Sequence, residues 1–472
     1  MEGRRLGRRV AANTAAQVAG RAVILALAAV SIVLITRYLG PSSYGRYALA
    51  LSYIQLFGVL ADVGLFTIVV REISKRPEQT SRLVGNAMTL RALVSLVVVA
   101  LALGVSLLLP YTPQVRVAIL IAAVPFVLGL LSTSLVTVFQ ARLRMERAVV
   151  ADVVGRAAAL AAVGVVVVAD WGFYAVVASA AVGAAVTLGL TATLVRPLAA
   201  IRFAAEPVVW RMLIVSALPL GIALTINEIY FRADTLIISL YRSDREVGLY
   251  ALAWRVYELV ALFPAVIMTS VFPLLSRYVE ENEARARRLL QSASDVFWSI
   301  GLPFAAGGVV LAPGIVELAG GSGFADSAEP LRLLLPAGAL AYVNGLFGYA
   351  LIAKNRQRDA LWLNVVSLVL NLGLNFALVP SEGIVAAAAV TLGCEVVIFG
   401  GAWVLMRAHY RFFPSLVGAG KALLAALVMA AALFPLRDGP VVPLVALGAV
   451  VYAVVLFAVG GVDRRLIARL RA

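Results

Sequence analysis

Two stretches of the chain copy each other, and an internal repeat constrains architecture before any single residue does. The first is YGRYALALSYIQLFGVLADV, Tyr44 to Val63, and the second is VGLYALAWRVYELVALFPAV, Val247 to Val266. At one constant offset they share Gly45/Gly248, Tyr47/Tyr250, Ala48/Ala251, Leu49/Leu252, Ala50/Ala253, Leu56/Leu259 and Val63/Val266. The match runs backwards from Ile35-Thr36-Arg37-Tyr38 to Ile238-Ser239-Leu240-Tyr241. Each copy is an apolar run, a short polar turn and a second apolar run. The repeat predicts two similar halves, each opening with the same helical hairpin.

The runs themselves fix the solvent. Hydrophobic residues make up 62% of the chain and charged residues only 14%, against about 25% charged in a soluble domain. Mean hydropathy is +0.97. A helix needs about 20 apolar residues to cross a bilayer, and such runs recur from end to end. The ten-residue alternation of a membrane β-barrel is absent. The expected fold is an all-α polytopic membrane protein of fourteen spans. They fall roughly at 11–36, 47–70, 84–109, 117–140, 148–168, 173–195, 212–238, 248–275, 290–318, 331–353, 360–379, 384–406, 417–435 and 441–460.

The polar segment from Arg196 to Arg211, with Pro197 and Pro207, separates six spans from the rest. Because six is even, both halves cross in the same sense. The halves are then parallel repeats about an axis along the membrane normal. We expect an N-terminal lobe over 1–209, a C-terminal lobe over 210–409, and an added helix pair with a basic tail over 410–472. The two lobes should enclose a central cavity.

The net charge of +15 does not indicate nucleic acid. With both termini inside, most Lys and Arg fall in inner segments, which is the positive-inside pattern. That topology suits a cytoplasmic membrane with cytoplasmic termini. Arg4, Arg5, Arg8 and Arg9 precede the first span without a small-residue cleavage site, so the first helix is expected to be retained. A single cysteine, Cys394, and a single histidine, His409, can build neither a disulfide nor a metal cluster.

Function should lie in the polar residues that the spans tolerate. Span one carries Asn13, Gln17 and Arg21, four apart and so on one face. Arg21 lies about 15 Å along its helix at 1.5 Å per residue. Span two carries Asp62, span three Arg91, and span five begins with Asp152 and Arg156. Span seven holds Asn227, Glu228, Arg232 and Asp234, and span eight holds Arg255 and Glu258. The repeat partners of Asp234, Arg255 and Glu258 are Ser31, Ser52 and Gln55, so this charge is not demanded by the shared frame. Span eleven has Asn364, Ser367, Asn371 and Asn375 on one stripe, and span twelve has Thr391 and Glu395. Each intramembrane charge costs roughly 2.5–3.5 kcal/mol on insertion scales, so it must face water or a partner. Structural alternatives stand beside every one. Asp152–Arg156, Glu228–Arg232 and Arg255–Glu258 have ion-pair spacing. Asp62 could cap a neighbouring helix, the asparagines could bridge helices, and Glu395 could be a neutral buried carboxyl.

Several chemistries are missing from the sequence. Gly418-Ala-Gly-Lys421 lacks the spacing and hydroxyl of a phosphate-cradling loop. No nucleophile–base pair or metal motif is visible, so no catalytic residue and no enzyme activity are expected. Pro125, Pro219, Pro264, Pro303 and Pro336 interrupt spans, as expected where helices bend around a cavity.

The stretches Arg37 to Glu72, Ala233 to Ser276 and Asn364 to Thr391 together resemble oligosaccharide and polysaccharide flippases of the Wzx type. The resemblance runs over roughly residues 10–407 by order and spacing. That family shares a superfamily with MATE drug exporters and lipid II flippases. The resemblance implies two six-helix bundles around a cavity, alternating access, and a polyprenyl-pyrophosphate-linked oligosaccharide as substrate. It also implies cavity arginines on helices one and eight, which here match Arg21 and Arg255. Arg is suited to a diphosphate by its forked donors and permanent charge. We therefore expect Arg21 and Arg255 as leading diphosphate contacts and Arg91 and Arg232 as secondary ones. Gln17, Asn371 and Asn375 would meet sugar hydroxyls. Asp234 is the leading candidate for a coupling proton or sodium ion, followed by Glu258, Asp62, Glu228 and Glu395. No other cofactor is expected. Beyond the lipid bilayer, the expected partners are a glycan polymerase or export machinery. A lipid II-type flippase or a cation-coupled drug exporter is the competing reading.

Overall fold

The computed structural model describes residues 2–62, 64–261 and 263–461. Side chains are described for these except 2–18, 220, 222–224, 227, 263, 265, 266 and 269. Every regular element among the described residues is helical. Among the described residues, ten helical stretches are long and apolar enough to cross a membrane. Two of them, Ala19–Lys75 with 57 residues and Gln357–Tyr410 with 54, are each far longer than one crossing requires. The protein is thus a multi-pass helical membrane protein. Among the described residues these ten stretches cover twelve of the fourteen expected spans, because two expected pairs run on through kinks; the expected spans at 212–238 and 248–275 are not among them.

Both kinks are made by glycine. In α1 (Glu2–Asp62) Gly40 has φ 66 and ψ 173, directly before Pro41. In α12 (Gln357–Tyr410) Gly383 has φ 71 and ψ −150, three residues after Pro380. A positive φ costs an L-residue with a Cβ roughly 1–2 kcal/mol, and proline removes a helical N–H. The two arms of α12 then pack on each other, with the Cys394 sulfur 3.7 Å from the Ser367 carbonyl oxygen.

The chain forms two compact units, Met1–Gly248 and Leu249–Ala472. The first holds α1, α2 (Leu65–Lys75), α3 (Thr80–Leu108), α4 (Pro113–Ala141), α5 (Met145–Val168), α6 (Phe173–Val195) and α7 (Pro207–Tyr241). It also takes the start of α8 (Asp244–Ala261). Packing therefore groups α7 with the first unit, later than the repeat boundary expected at 209/210. The apolar core here gathers Leu83, Val84, Leu135, Phe139 and Leu213 from α3, α4 and α7. Within the core, the buried Tyr53 hydroxyl donates to the Ala102 carbonyl at 2.7 Å. The polar connector before α7 is tied to α3. Arg82 Nε donates to both Glu206 carboxylate oxygens at 2.9 Å, and Glu206 N donates to Asn86 Oδ1 at 2.8 Å.

The second unit holds the rest of α8, α9 (Phe263–Glu281), α10 (Glu283–Gly320), α11 (Ala328–Ala353), α12, α13 (Val417–Leu433) and α14 (Val441–Ala458). Asn282 caps α10 by accepting from Arg285 N at 3.0 Å. Its main core joins Phe297, Tyr342, Phe347, Met406 and Tyr410. The added pair α13 and α14 has its own apolar cluster around Ala425, Met429 and Leu444, closed against Leu311 of α10. Pro125, Pro219, Pro303 and Pro336 lie inside continuous helices, whereas Pro264 lies in the first turn of α9.

Candidate functional site

In the first unit, small residues set the site by drawing four helices together. Gly155 of α5 and Gly183 of α6 cross so closely that a Cβ on either would lie 2.9 or 2.7 Å from the other's carbonyl oxygen. A Cβ on Gly20 would overlap Val149, so α1 also lies tight on α5. Small residues at helix crossings are how membrane helices gain contact without a hydrophobic drive. The next residue after Gly20 is Arg21. It lines a cavity of about 410 Å³ bounded by α1, α4, α5 and α6.

The cavity wall is rich in hydroxyls. Ser132, Thr133, Thr187 and Thr191 line it together with Asp152, while Val136, Met145 and Val149 supply apolar surface. Ser132 donates to Thr191 at 3.3 Å across α4 and α6. Asp152 accepts from Arg156 Nε at 3.2 Å, the local pair that the spacing predicts. The wall thus combines the permanent positive charge of Arg21, four hydroxyls that can donate or accept, and one carboxylate, that of Asp152, paired with Arg156.

Arg91 is placed differently. It is fully buried, pairs with Asp62 at the end of α1, and donates to Ser134 Oγ at 2.9 Å. Asp62 is the last residue of α1, and its carboxylate accepts from Arg91 Nη2. Glu228 pairs with Arg232 within α7. Asp234 is buried in the same helix, beside the buried Thr235. The side chains of Gln17 and Asn227 lie outside those described.

In the second unit, Arg255 pairs with Glu258 at 2.7 Å on α8. Asn371 and Asn375 are buried in the first arm of α12, and Asn375 Nδ2 donates to the Asn371 carbonyl at 2.9 Å. The side-chain oxygen of Asn371 and the hydroxyl of Ser367 have no hydrogen-bond partner, nor has Asn344 Oδ1 of α11. Asn344 Nδ2 donates to Glu395 Oε2 at 2.8 Å and to its carbonyl at 2.9 Å, so Glu395 is held by a residue that the sequence reading did not single out. Its only signal was an asparagine inside an apolar run. A second cavity, about 360 Å³, lies among α8, α10, α11, α13 and α14. Val256, Val260, Leu311, Met429 and Leu433 make it largely apolar. No group of three or more His, Cys, Asp or Glu fit to hold a metal is present among the described residues.

Comparison with known proteins bears on this arrangement. The family profile described as polysaccharide biosynthesis protein matches residues 10–279, and the MatE profile matches residues 219–377. A Haloferax volcanii protein described as a probable low-salt glycan biosynthesis flippase, Agl15, is 31% identical over 163 residues, 34% of each chain. A probable flippase of the same organism, AglR, is 28% identical over 167 residues, 34% of this chain and 35% of that one. The chain thus aligns with about a third of the length of these relatives. Among solved structures, the lipid II flippase MurJ in an inward closed conformation superimposes with a TM-score of 0.77 at 12% identity. The match covers 92% of this chain and 96% of that one. An inward-facing multidrug resistance MATE family transporter gives 0.62 at 17% identity, covering 82% and 95%. At such identities the likeness establishes the fold, and the fold is the one these transporters share.

Proposed function

The chain belongs to the polysaccharide biosynthesis protein family, and from that premise we propose that it is a flippase for a polyprenyl-pyrophosphate-linked oligosaccharide. In this reading it works by alternating access in the cytoplasmic membrane, with both termini cytoplasmic, and feeds surface glycan assembly. It acts as a transporter and carries out no chemistry on its cargo. A glycan polymerase or export machinery would take the product.

The observation that carries the proposal is Arg21 on the wall of a hydroxyl-lined cavity in the first unit. A diphosphate with attached sugars cannot cross hydrocarbon without a polar path. Arg21 offers the diphosphate a charge that cannot be titrated away, and Ser132, Thr133, Thr187 and Thr191 offer partners to sugar hydroxyls. Arg255 remains the second proposed diphosphate contact, with Arg232 behind it. Arg91 contributes charge balance inside the first unit. Gln17, Asn371 and Asn375 are proposed sugar contacts, and the apolar cavity by α13 and α14 suits a polyprenyl segment. A drug exporter coupled to cations would instead want an acidic cavity, whereas the acid here, Asp152, is paired with Arg156.

Coupling falls to the acids of the spans. Asp234 and Glu395 are buried, whereas Glu228, Glu258 and Asp62 are partly exposed. Asp234, whose repeat partner is Ser31, leads for the proton or sodium ion, with Glu395 second. The test is flipping of a fluorescent polyprenyl-diphosphate glycan in proteoliposomes. Arg21→Ala should reduce flipping at least tenfold while the protein inserts normally. Asp234→Asn should retain basal flipping and lose its response to an imposed proton or sodium gradient. Full flipping by Arg21→Ala would remove the diphosphate role, and an undiminished gradient response by Asp234→Asn would remove the coupling role.

A further inference from the structure

Two opposite charges line the cavity of the first unit without pairing with each other. Helices α1 and α5 cross where Gly20 lies on Val149. Arg21 follows Gly20 directly, and Asp152 lies three residues beyond Val149, about one turn along α5. Both side chains line the cavity. The cation paired with Asp152 is Arg156, which is not part of the lining. Arg156 Nε donates to Asp152 Oδ1 at 3.2 Å, and Oδ2 takes no bond among the described residues. The carboxylate therefore stands on the wall with one oxygen to spare.

The hydroxyls around it are partly committed. Ser132 donates to Thr191 at 3.3 Å, and Thr133 donates to the Gly129 carbonyl at 2.9 Å. Thr187 lies over Gly155, where its Oγ1 would overlap an added Cβ. Gly155 is three residues from Asp152 and so on the same face of α5. Asp152 and Thr187 thus form one polar strip, while Val136, Met145 and Val149 supply apolar surface. The lining comes from the C-terminal halves of α4 and α6 and the N-terminal half of α5. That is the end of the unit that the arginine distribution assigns to the cytoplasm. A volume of about 410 Å³ lies at the lower end of the range of about 300–1,000 Å³ for small-molecule sites. It admits the diphosphate and the sugar it carries, and leaves a longer glycan outside.

We propose that Asp152 is a specificity-determining residue: it makes the cavity accept a cargo whose diphosphate-linked sugar is uncharged and reject one in which that sugar is a uronic acid. The proposal rests on the flippase reading of this site. With the diphosphate on Arg21, the sugar beside it reaches Asp152 about one turn along α5. A carboxylate accepts hydrogen bonds and donates none. The hydroxyl or acetamido N–H groups of a neutral sugar satisfy it. A uronate brings a second carboxylate, which offers no donor and repels the first. Arg21 cannot neutralise that charge while it holds the diphosphate, and Arg156 is off the wall. Selection thus comes from a repulsive group set against the wrong cargo.

The test is the binding of two fluorescent probes to the purified protein in lipid nanodiscs. One is a polyprenyl diphosphate carrying a single glucose, and the other is the same lipid carrying a single glucuronate. The parent should bind the glucose probe at least about tenfold more tightly, as like-charge rejection requires. Asp152→Asn keeps the shape and one acceptor oxygen. It should reduce the preference to below about threefold, chiefly by tightening the glucuronate probe. Equal binding of the two probes by the parent overturns the selectivity, and that result needs no variant to fold. A folded Asp152→Asn protein that keeps the parent's preference overturns the assignment to Asp152. In both cases the flippase reading still stands or falls on the Arg21 transport assay. Binding of neither probe overturns both.

Discussion

The Asp62–Arg91 pair makes an asymmetric prediction. The Arg91 side chain is 0% exposed and that of Asp62 is 34% exposed. Removing the charge of Asp62 leaves a guanidinium in a place water cannot reach, with Ser134 still bonded but Nε already without a partner. Stranding one half of a buried pair costs about 3–5 kcal/mol. Asp62→Asn keeps the shape and one acceptor oxygen, so the lower end, about 3 kcal/mol, applies. Removing Arg91 instead leaves a carboxylate that already reaches solvent and can rehydrate. Arg91→Met should then cost only about 1 kcal/mol, the scale of a half-exposed ion pair, and Ser134 keeps its bond to the Leu130 carbonyl at 3.2 Å. The expected gap is about 2 kcal/mol, or roughly thirtyfold in the unfolding equilibrium. The double variant should resemble Arg91→Met, since no stranded charge remains. Denaturant unfolding of the four proteins in mixed micelles measures all of this. Arg91→Met costing as much as Asp62→Asn would refute the burial argument. Flipping activity retained by the double variant would show that the pair makes no required contact with cargo.

The other predictions are local. Glu206 lies outside the spans, and Arg82, with Asn86 behind it, holds its carboxyl below the ordinary value of 4.5. A depressed carboxyl stabilises the fold above that ordinary value and loses the contribution as pH falls through the lower folded value. Glu206→Gln should therefore unfold more readily than the parent at pH 6, and the difference should close towards pH 3 in melting experiments. Gly383→Ala forces a Cβ into φ 71 and should cost roughly 1–2 kcal/mol, read as a lowered melting temperature; an unshifted melting temperature would mean that the kink relaxes freely.

What the sequence made legible follows a physical line. Properties carried by spacing along one helix came through: the apolar runs, and the pairs Asp152–Arg156, Glu228–Arg232 and Arg255–Glu258. Partners three or four apart share a helix face whatever the tertiary fold does. Partner choice between helices did not come through. Arg91 could be seen as a costly charge in need of an opposite, but nothing in its own span names Asp62, 29 residues earlier, or Ser134, 43 later. Asn344 was invisible for the same reason, since its partner Glu395 lies on another helix. The repeat is the exception, and it shows why. It is a long-range signal written twice, so it ties distant positions together without an alignment of homologues. Gly45 and Gly248 were matched as equivalent residues on sequence alone; that their backbones also touch is a property of the fold that correspondence along the chain does not carry.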